Sequence, residues 1–329
     1  MKPDRLNDSN VALLEVRHLR VEFPTRKGVL RALDDVSFSI RKGETLGVVG
    51  ESGAGKSLTG AAIIGLLEPP GRIAAGEIWL EGRRIDALPP DAMRSLRGKE
   101  IAAIFQDPLT SLNPLFTVGR QLTDTIQTHL PFSYTQARQR AIELLARTGI
   151  SAPEVRVDHY PHQFSGGMRQ RVVIALALAA EPKLIVADEP TTALDVSIQA
   201  QIIRLLKQLS RDLGTSIMLI THDMGVIAET ADRVAVMYAG RLAEIGSVEA
   251  MIQRPQHPYT KGLMASIPSI RANRERLEQI EGAMPRLDAI PQGCAFHPRC
   301  PVRVDRCMQE RPGLRPTAES QAACWVLAR

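Results

Sequence analysis

The 329-residue sequence predicts an α/β fold in which a mostly parallel sheet is covered by helices, with a helical insertion and a smaller C-terminal unit. Three observations predict it. The short apolar runs ETLGVVG (44–50), LIVADEP (184–190) and SIMLITH (216–222) read as strands buried on both faces, ending in glycine or polar residues. Between the last two, SIQAQIIRLLKQLSRDLG places apolar residues at 198, 202, 205, 206, 209 and 213, the stripe of an amphipathic helix, with Ser197 as expected N-cap and Gly214 as stop. A glycine-rich turn follows the first strand, and the C-terminal ends of such strands are where ligands bind.

Taken in chain order, LLEVRHLRVEF (13–23) alternates as a strand, and VSFSI (36–40) continues the β character after a connection containing Lys27 and Gly28. The glycine turn after ETLGVVG leads into a helix that includes AAIIGLL (61–67). From 107 to 163 the pattern changes to helix and loop, with TQARQRAIELLARTG (135–149) its clearest helix. After about residue 250 the Pro-rich texture of RPQHPYTKGLMASIPSI and the tail mark a separate unit. There is no internal repeat and no low-complexity tract.

An apolar fraction of 44% and a charged fraction of 23% place the chain among globular proteins with material for a core. A net charge of +5 suits nucleic acid or an anionic membrane surface no better than it suits a plain solvated surface. No apolar run reaches the ~18 to 20 residues of a membrane helix, and MKPDRLNDSN lacks the apolar stretch of a signal peptide, so a cytoplasmic protein is expected.

The chemistry starts at GESGAGKS, residues 50 to 57, which fits G-x-x-x-x-G-K-[ST] between a strand and a helix. Gly50, Glu51, Ser52, Gly53, Ala54 and Gly55 would curl backbone N–H groups around a phosphate, Lys56 would reach the β and γ phosphates, and Ser57 would hold Mg2+, with Leu58 next in the helix. LIVADEP delivers Asp188 and Glu189 together at a strand end. Alone, such a pair would be a cap or a solvated turn; beside a phosphate loop, Asp188 can hold Mg2+ through water and Glu189 can polarise the attacking water. FSGGMRQR (164–171) then sets Ser165, Gly166 and Gly167 at the start of a second helix, a second anion site.

With these motifs in this order, residues 12 to 250 resemble the nucleotide-binding subunits of ABC transporters. The resemblance implies a P-loop NTPase (RecA-like) core with an antiparallel β subdomain, an ATPase domain over 1–250 with its helical subdomain at about 107–170, and a C-terminal extension over 251–329. It implies that Phe23 stacks adenine, that Gln106 in IFQDP senses Mg2+ and the membrane partner, that ALD at 193–195 brings Asp195 to the subunit contact, and that His222 is a catalytic switch beside Glu189. It also explains the second anion site. Two subunits pack head to tail, so Ser165, Gly166, Gly167 and Met168 of one would close on the ATP of the other.

The longer strings QDPLTSLNPLFTVG, DEPTTALDVSIQAQI and HPYTKGLMASIP look like the ATPases of dipeptide, oligopeptide and nickel importers that carry a Ser-Gly-Gly-Met signature. By that resemblance the chain works at the cytoplasmic face of the inner membrane. Its partners there are a second related ATPase in a heterodimer, two permease subunits and an external binding protein. The cargo is a di- or oligopeptide, with nickel complexes and glutathione as alternatives. A chromosome-maintenance or repair ATPase would separate phosphate loop and signature by long coiled-coil arms, whereas 109 positions separate Lys56 from Ser165. A translation factor of the ABC type would carry two cassettes, and the chain has one. No nucleic-acid partner is expected.

All four cysteines, Cys294, Cys300, Cys307 and Cys324, fall in the last 36 residues, spaced C-x5-C-x6-C-x16-C. A reducing cytoplasm disfavours disulfides, which leaves a metal; four thiolates suit zinc or an iron–sulfur centre. Resemblance to importer ATPases with a C-terminal cysteine set implies a [4Fe-4S] cluster, with zinc as the alternative.

Overall fold

The computed structural model describes residues 12–192, 194–266 and 280–327. The expected residues Ala193, Ile267 and Pro268 lie outside the described residues. The chain forms two compact units: one of residues 12–13, Arg41–Glu44 and Ala87–Met218, the other of Leu14–Ile40, Thr45–Asp86 and the chain from Leu219 onward.

In the first unit, strands Ile101–Ile104 and Leu184–Asp188 pair in parallel, Ile101 opposite Leu184 and Ile104 opposite Ala187. All four of these residues are buried, as strands covered on both faces must be. The helix Tyr134–Arg147 opens with a capping box: Ser133 Oγ accepts the Gln136 N–H at 3.4 Å and Gln136 Oε1 accepts the Ser133 N–H at 2.9 Å. It buries Ala137, Ala141, Leu144 and Leu145, one face at helical spacing. The helix Val196–Leu213 ends at Gly214 in the left-handed region, as expected, but starts earlier than expected. Its N-cap is Asp195 and not Ser197, because the Asp195 carbonyl already accepts the N–H groups of Ile198 and Gln199, both at 2.9 Å.

In the second unit, the antiparallel sheet runs in the order Gly28–Arg41, Ala12–Thr25, Arg72–Leu80, Arg83–Arg84. The wholly buried strand Thr45–Val49 pairs in parallel with Arg233–Tyr238, which turns through Ala239 and Gly240 into the antiparallel strand Arg241–Ser247. The helix after the glycine turn spans Lys56–Ile63 and stops short of the expected Leu67. Leu66 N–H reaches back to Ala61 O at 2.8 Å and Gly65 takes φ 66°, the wrapped end of a helix whose glycine tolerates the left-handed turn.

The C-terminal extension is fastened to that hairpin. Ser320–Ala322 adds an antiparallel strand beside Arg241–Ser247, and the fully buried carboxylate of Glu244 accepts the N–H of Gln256 (2.9 Å), the N–H of His257 (2.8 Å) and the hydroxyl of Ser320 (2.9 Å). A buried carboxylate needs such donors. His257, buried beside it, accepts the Tyr259 N–H at Nδ1 (3.1 Å).

Burial pushes the His257 imidazole down from its ordinary 6.5 to about 4, partly opposed by a hydrogen bond to the Ala323 backbone. Folded His257 therefore stays neutral where the unfolded chain protonates, so its stabilisation is complete above pH 6.5 and is lost as the pH falls toward 4, a change of about 3 kcal/mol. Urea unfolding of wild type and His257→Asn, which keeps an acceptor for the Tyr259 N–H, should show the wild type losing stability more steeply across that window; parallel curves would contradict this origin.

Candidate functional site

The phosphate-loop residues lie in the second unit. Gly50 leaves the end of the strand Thr45–Val49 with φ 152°, and a Cβ there would stand 2.3 Å from the Met237 carbonyl oxygen; only glycine fits. Gly55, at φ 101°, caps the helix Lys56–Ile63 without any side-chain cap. An uncapped helix N-terminus offers its N–H groups to an anion. The Gly240 N–H holds the Ala54 carbonyl at 2.9 Å. Lys56 is buried and folds its ammonium onto the carbonyls of Gly50 (2.8 Å) and Glu51 (3.1 Å), across the mouth of the loop. Ser52, Gly53 and Ser57 are exposed, Ala54 is buried and Leu58 is half-buried.

Two further expected residues share this unit. Half-buried Phe23 lies against Gly71, where a Cβ would meet its ring at 2.7 Å. His222 is exposed, just before the helix Met224–Thr230, whose N-cap Asp223 accepts the N–H groups of Gly225 (2.8 Å) and Val226 (3.2 Å).

The first unit holds the carboxylates and the signature. The strand Leu184–Asp188 delivers Asp188 at its last position and Glu189 just beyond, at φ 45°. A non-glycine residue in that region is strained by about 1–3 kcal/mol and redirects its side chain away from the strand alternation. Two neighbours hold the carboxylate: Gln106 Nε2 donates to Oε2 at 3.3 Å and Thr192 Oγ1 donates to the same oxygen at 2.8 Å. The structure thus joins Gln106 to Glu189. Thr192, in the TTALD string, joins this group without a chemical signal of its own in the sequence.

Ser165 is exposed and caps the helix Gly166–Ala177, with its Oγ accepting the Met168 N–H at 3.4 Å. Gly167 is needed for packing, since a Cβ there would stand 2.8 Å from Ile198 Cγ2 of the neighbouring helix. Met168 meets the Arg156 guanidinium at 3.8 Å through its sulfur. Asp195, the exposed N-cap of that neighbouring helix, makes no side-chain capping bond.

The four cysteines belong to the second unit and form no disulfide; Cys307 and Cys324 are buried and Cys294 and Cys300 half-buried. Burial, then the neighbouring thiols, push Cys294 up to about 11, and burial raises Cys300 and Cys324 as well. Cys294, Cys300 and Cys324 each take a hydrogen bond from the backbone two residues on, at Phe296, Val302 and Val326. The donor chemistry therefore suits a soft cation. The finished geometry is another matter: among the described residues no group of three or more His, Cys, Asp or Glu side chains is disposed to hold a metal ion, and the expected cluster is not supported by the arrangement. Burial disfavours the thiolate at Cys294, Cys300 and Cys324, and without that charge these donors are not drawn together around a cation, which is the physical reason for that difference. Among the described residues no helix is long and apolar enough to cross a membrane.

Comparison with known proteins agrees with these motifs. Residues 33–192 match the ABC transporter family, and residues 243–307 match the oligopeptide/dipeptide transporter C-terminal region. The chain is 48% identical over 316 residues to the dipeptide transport ATP-binding protein DppD of Bacillus subtilis (strain 168), covering 95% of this chain and 94% of that one. It is 49% identical over 318 residues to the oligopeptide transport ATP-binding protein OppD of the same organism, covering 96% and 89%. Among solved structures, the ATP-binding cassette MJ0796, a dimer in a post-hydrolysis state bound to ADP and Pi, superposes with a TM-score of 0.64 at 29% identity, covering 71% of this chain and 98% of that chain. The fold is that of an ABC ATPase cassette, a P-loop NTPase that uses ATP and Mg2+. By its motifs and by this similarity along nearly its whole length, the chain belongs to the ABC transporter family, among the ATP-hydrolysing subunits with the oligopeptide/dipeptide transporter C-terminal region.

Proposed function

We propose that this chain is an ATPase subunit of an importer of dipeptides or oligopeptides, working at the cytoplasmic face of the inner membrane. Its partners are a second related ATPase, two permease subunits and an external binding protein. The peptide cargo rests on relatives named for dipeptide and oligopeptide transport. The observation that carries the catalytic assignment is the strained Glu189 carboxylate, held by Gln106 and Thr192 at the end of a buried strand. In this reading the loop of residues 50–58 wraps the phosphates with its backbone N–H groups and the Lys56 ammonium, Glu51 shaping the loop through its bond to Tyr259 instead of donating to them, while Ser57, Gln106 and Asp188 hold Mg2+. Glu189 polarises water, His222 supports the γ-phosphate and Phe23 stacks the adenine. Lys56 would turn from the Gly50 and Glu51 carbonyls, which now occupy its ammonium, to the triphosphate.

In vesicles carrying the full complex, with ATP on the side of this chain, labelled dipeptide uptake should follow hydrolysis. Glu189→Gln should lower hydrolysis at this chain's site by about 100-fold or more while ATP still binds, and Lys56→Ala should weaken binding itself. Uptake independent of ATP, or full turnover in Glu189→Gln with the partner ATPase likewise inactivated, would defeat the assignment.

Ser165, Gly166, Gly167 and Met168 serve the facing subunit's ATP in this reading, with Asp195 at the subunit contact. The exposed Ser165 cap, with its long 3.4 Å internal bond, supports an outward role. Ser165→Arg should leave ATP binding by this chain alone unchanged and depress hydrolysis at the facing site. Loss of ATP affinity in the isolated variant would place the signature in its own chain's site instead.

The four cysteines would hold a [4Fe-4S] cluster, or zinc, that ties the tail together; three backbone N–H groups bonded to sulfur support thiolate character once a cation is present. When bound, the centre supplies cross-links for a tail too small to bury its own core. Protein purified without oxygen should be brown with about four irons per chain, and Cys→Ser at any of the four positions should bleach it. Colourless protein with one zinc would replace iron at the same residues, and metal-free wild-type protein would end both versions.

A further inference from the structure

The phosphate loop contains one acidic residue, Glu51, and the C-terminal extension grips it at both its backbone and its side chain. The Glu51 N–H donates to the Tyr259 hydroxyl at 2.9 Å, 208 positions along the chain. Its carboxylate is met by Arg299, 248 positions along, whose Nη1 stands 3.0 Å from Oε1 and 3.1 Å from Oε2.

Neither partner is a loose surface group. The Tyr259 side chain is fully buried, packed edge-on against Tyr238 with ring centroids 4.7 Å apart and against Phe296 at 5.4 Å. Burial raises the Tyr259 hydroxyl well above the usual phenol range, so it stays a neutral acceptor for the amide. The Arg299 side chain is only 7% exposed; its Nε donates to Glu281 O (2.8 Å) and its Nη2 to Ile280 O and Gly282 O (both 3.3 Å), all in the extension, and Nη1 also reaches the Tyr238 hydroxyl at 3.4 Å. Arg299 is therefore fixed by its own loop before it reaches Glu51.

An acidic side chain in a loop that binds a triphosphate is electrostatically adverse, because two like charges at close range repel strongly in a poorly solvated site. Pairing with a guanidinium removes the repulsion and draws the carboxylate to one side. We propose that Tyr259 and Arg299 are positioning residues for ATP: they neutralise and hold Glu51, and so keep the phosphate loop in its nucleotide-accepting shape. The extension thereby becomes a working part of the nucleotide site, and any event that loosens the tail lowers ATP affinity.

This inference rests on the ATPase reading above, and one experiment separates them. Full-length wild type and variants are titrated with Mg2+ and a fluorescent ATP analogue, and the reconstituted complex is assayed for hydrolysis. Arg299→Gln, which bares the carboxylate, should raise the dissociation constant and KM by about tenfold or more with kcat within about threefold. Glu51→Gln added to Arg299→Gln should restore affinity to within about threefold of wild type, which no merely structural role of Arg299 would allow. Tyr259→Phe should raise KM by about three- to tenfold with unchanged kcat. Unchanged affinity in Arg299→Gln, or a double variant no better than the single, overturns the proposal. If Arg299→Gln does not fold, Tyr259→Phe decides alone, with unaltered KM as the refuting result. Failure of wild type to bind or hydrolyse ATP would instead defeat the ATPase reading.

Discussion

The second unit depends on how closely the backbone at Gly50 approaches the Met237 carbonyl, with room for no side chain between them. That approach makes the end of one buried strand and the end of its parallel neighbour Arg233–Tyr238 a single mechanical support. The turn that follows, at Ala239 and Gly240, is fixed on two sides: the Gly240 N–H holds Ala54 O, and its carbonyl accepts the Asp34 N–H, both at 2.9 Å. The phosphate loop is thus shaped by the hairpin behind it as much as by its own glycines. Any segment docked on that hairpin acts on the loop.

Asp34 shows how firmly the extension is tied to this support. Burial alone would raise its carboxyl pKa, yet the guanidinium of Arg241, with those of Arg20 and Arg311, holds it below the usual carboxylate value. Arg241 belongs to the hairpin, Arg20 to the antiparallel sheet (3.2 Å) and Arg311 to the tail (2.8 Å), so one buried carboxylate joins three parts of the unit. Glu244 repeats the principle deeper in the structure, with neutral donors in place of cations. Sequence-distant segments of a small tail are held by carboxylates of the core because the tail has little apolar area of its own to bury.

Local chemistry was legible in the sequence and distant geometry was not. The strands Thr45–Val49, Leu184–Asp188 and Ser216–Ile220 were visible as apolar runs, and the helix Tyr134–Arg147 was visible within a residue or two because its period and caps are local. The start of the helix at Asp195 was misplaced because Ser197 has equal capping chemistry, and only backbone geometry chooses between them. The hairpin Arg233–Ser247 had no counterpart among the expected elements, although the largely apolar runs VAVMY and LAEIG on either side of Ala-Gly carry its signal. Lys56, Asp188, Glu189 and Ser165 could be named from motifs. Thr192 could not, since a threonine in a turn carries no chemical signal of its own, and neither could the Glu51 partners, since pairings across 208 and 248 positions leave no trace in spacing.

The arrangement around Glu189 also suggests how one carboxylate is held ready without being spent. Gln106 and Thr192 both bond Oε2, but at different lengths, 3.3 Å and 2.8 Å. The long bond comes from a residue just beyond the strand Ile101–Ile104, the short one from the turn that follows Glu189 itself. A long amide hydrogen bond on an exposed residue is readily exchanged for water, whereas the short local one keeps the carboxylate's orientation when the exchange occurs. In the proposed mechanism that exchange would let Gln106 turn its Oε1 toward a bound Mg2+ and would leave Glu189 Oε2 able to accept a hydrogen bond from water. The left-handed backbone at Glu189, a strain of about 1–3 kcal/mol, is what keeps the carboxylate within reach of both partners instead of following the strand into the core.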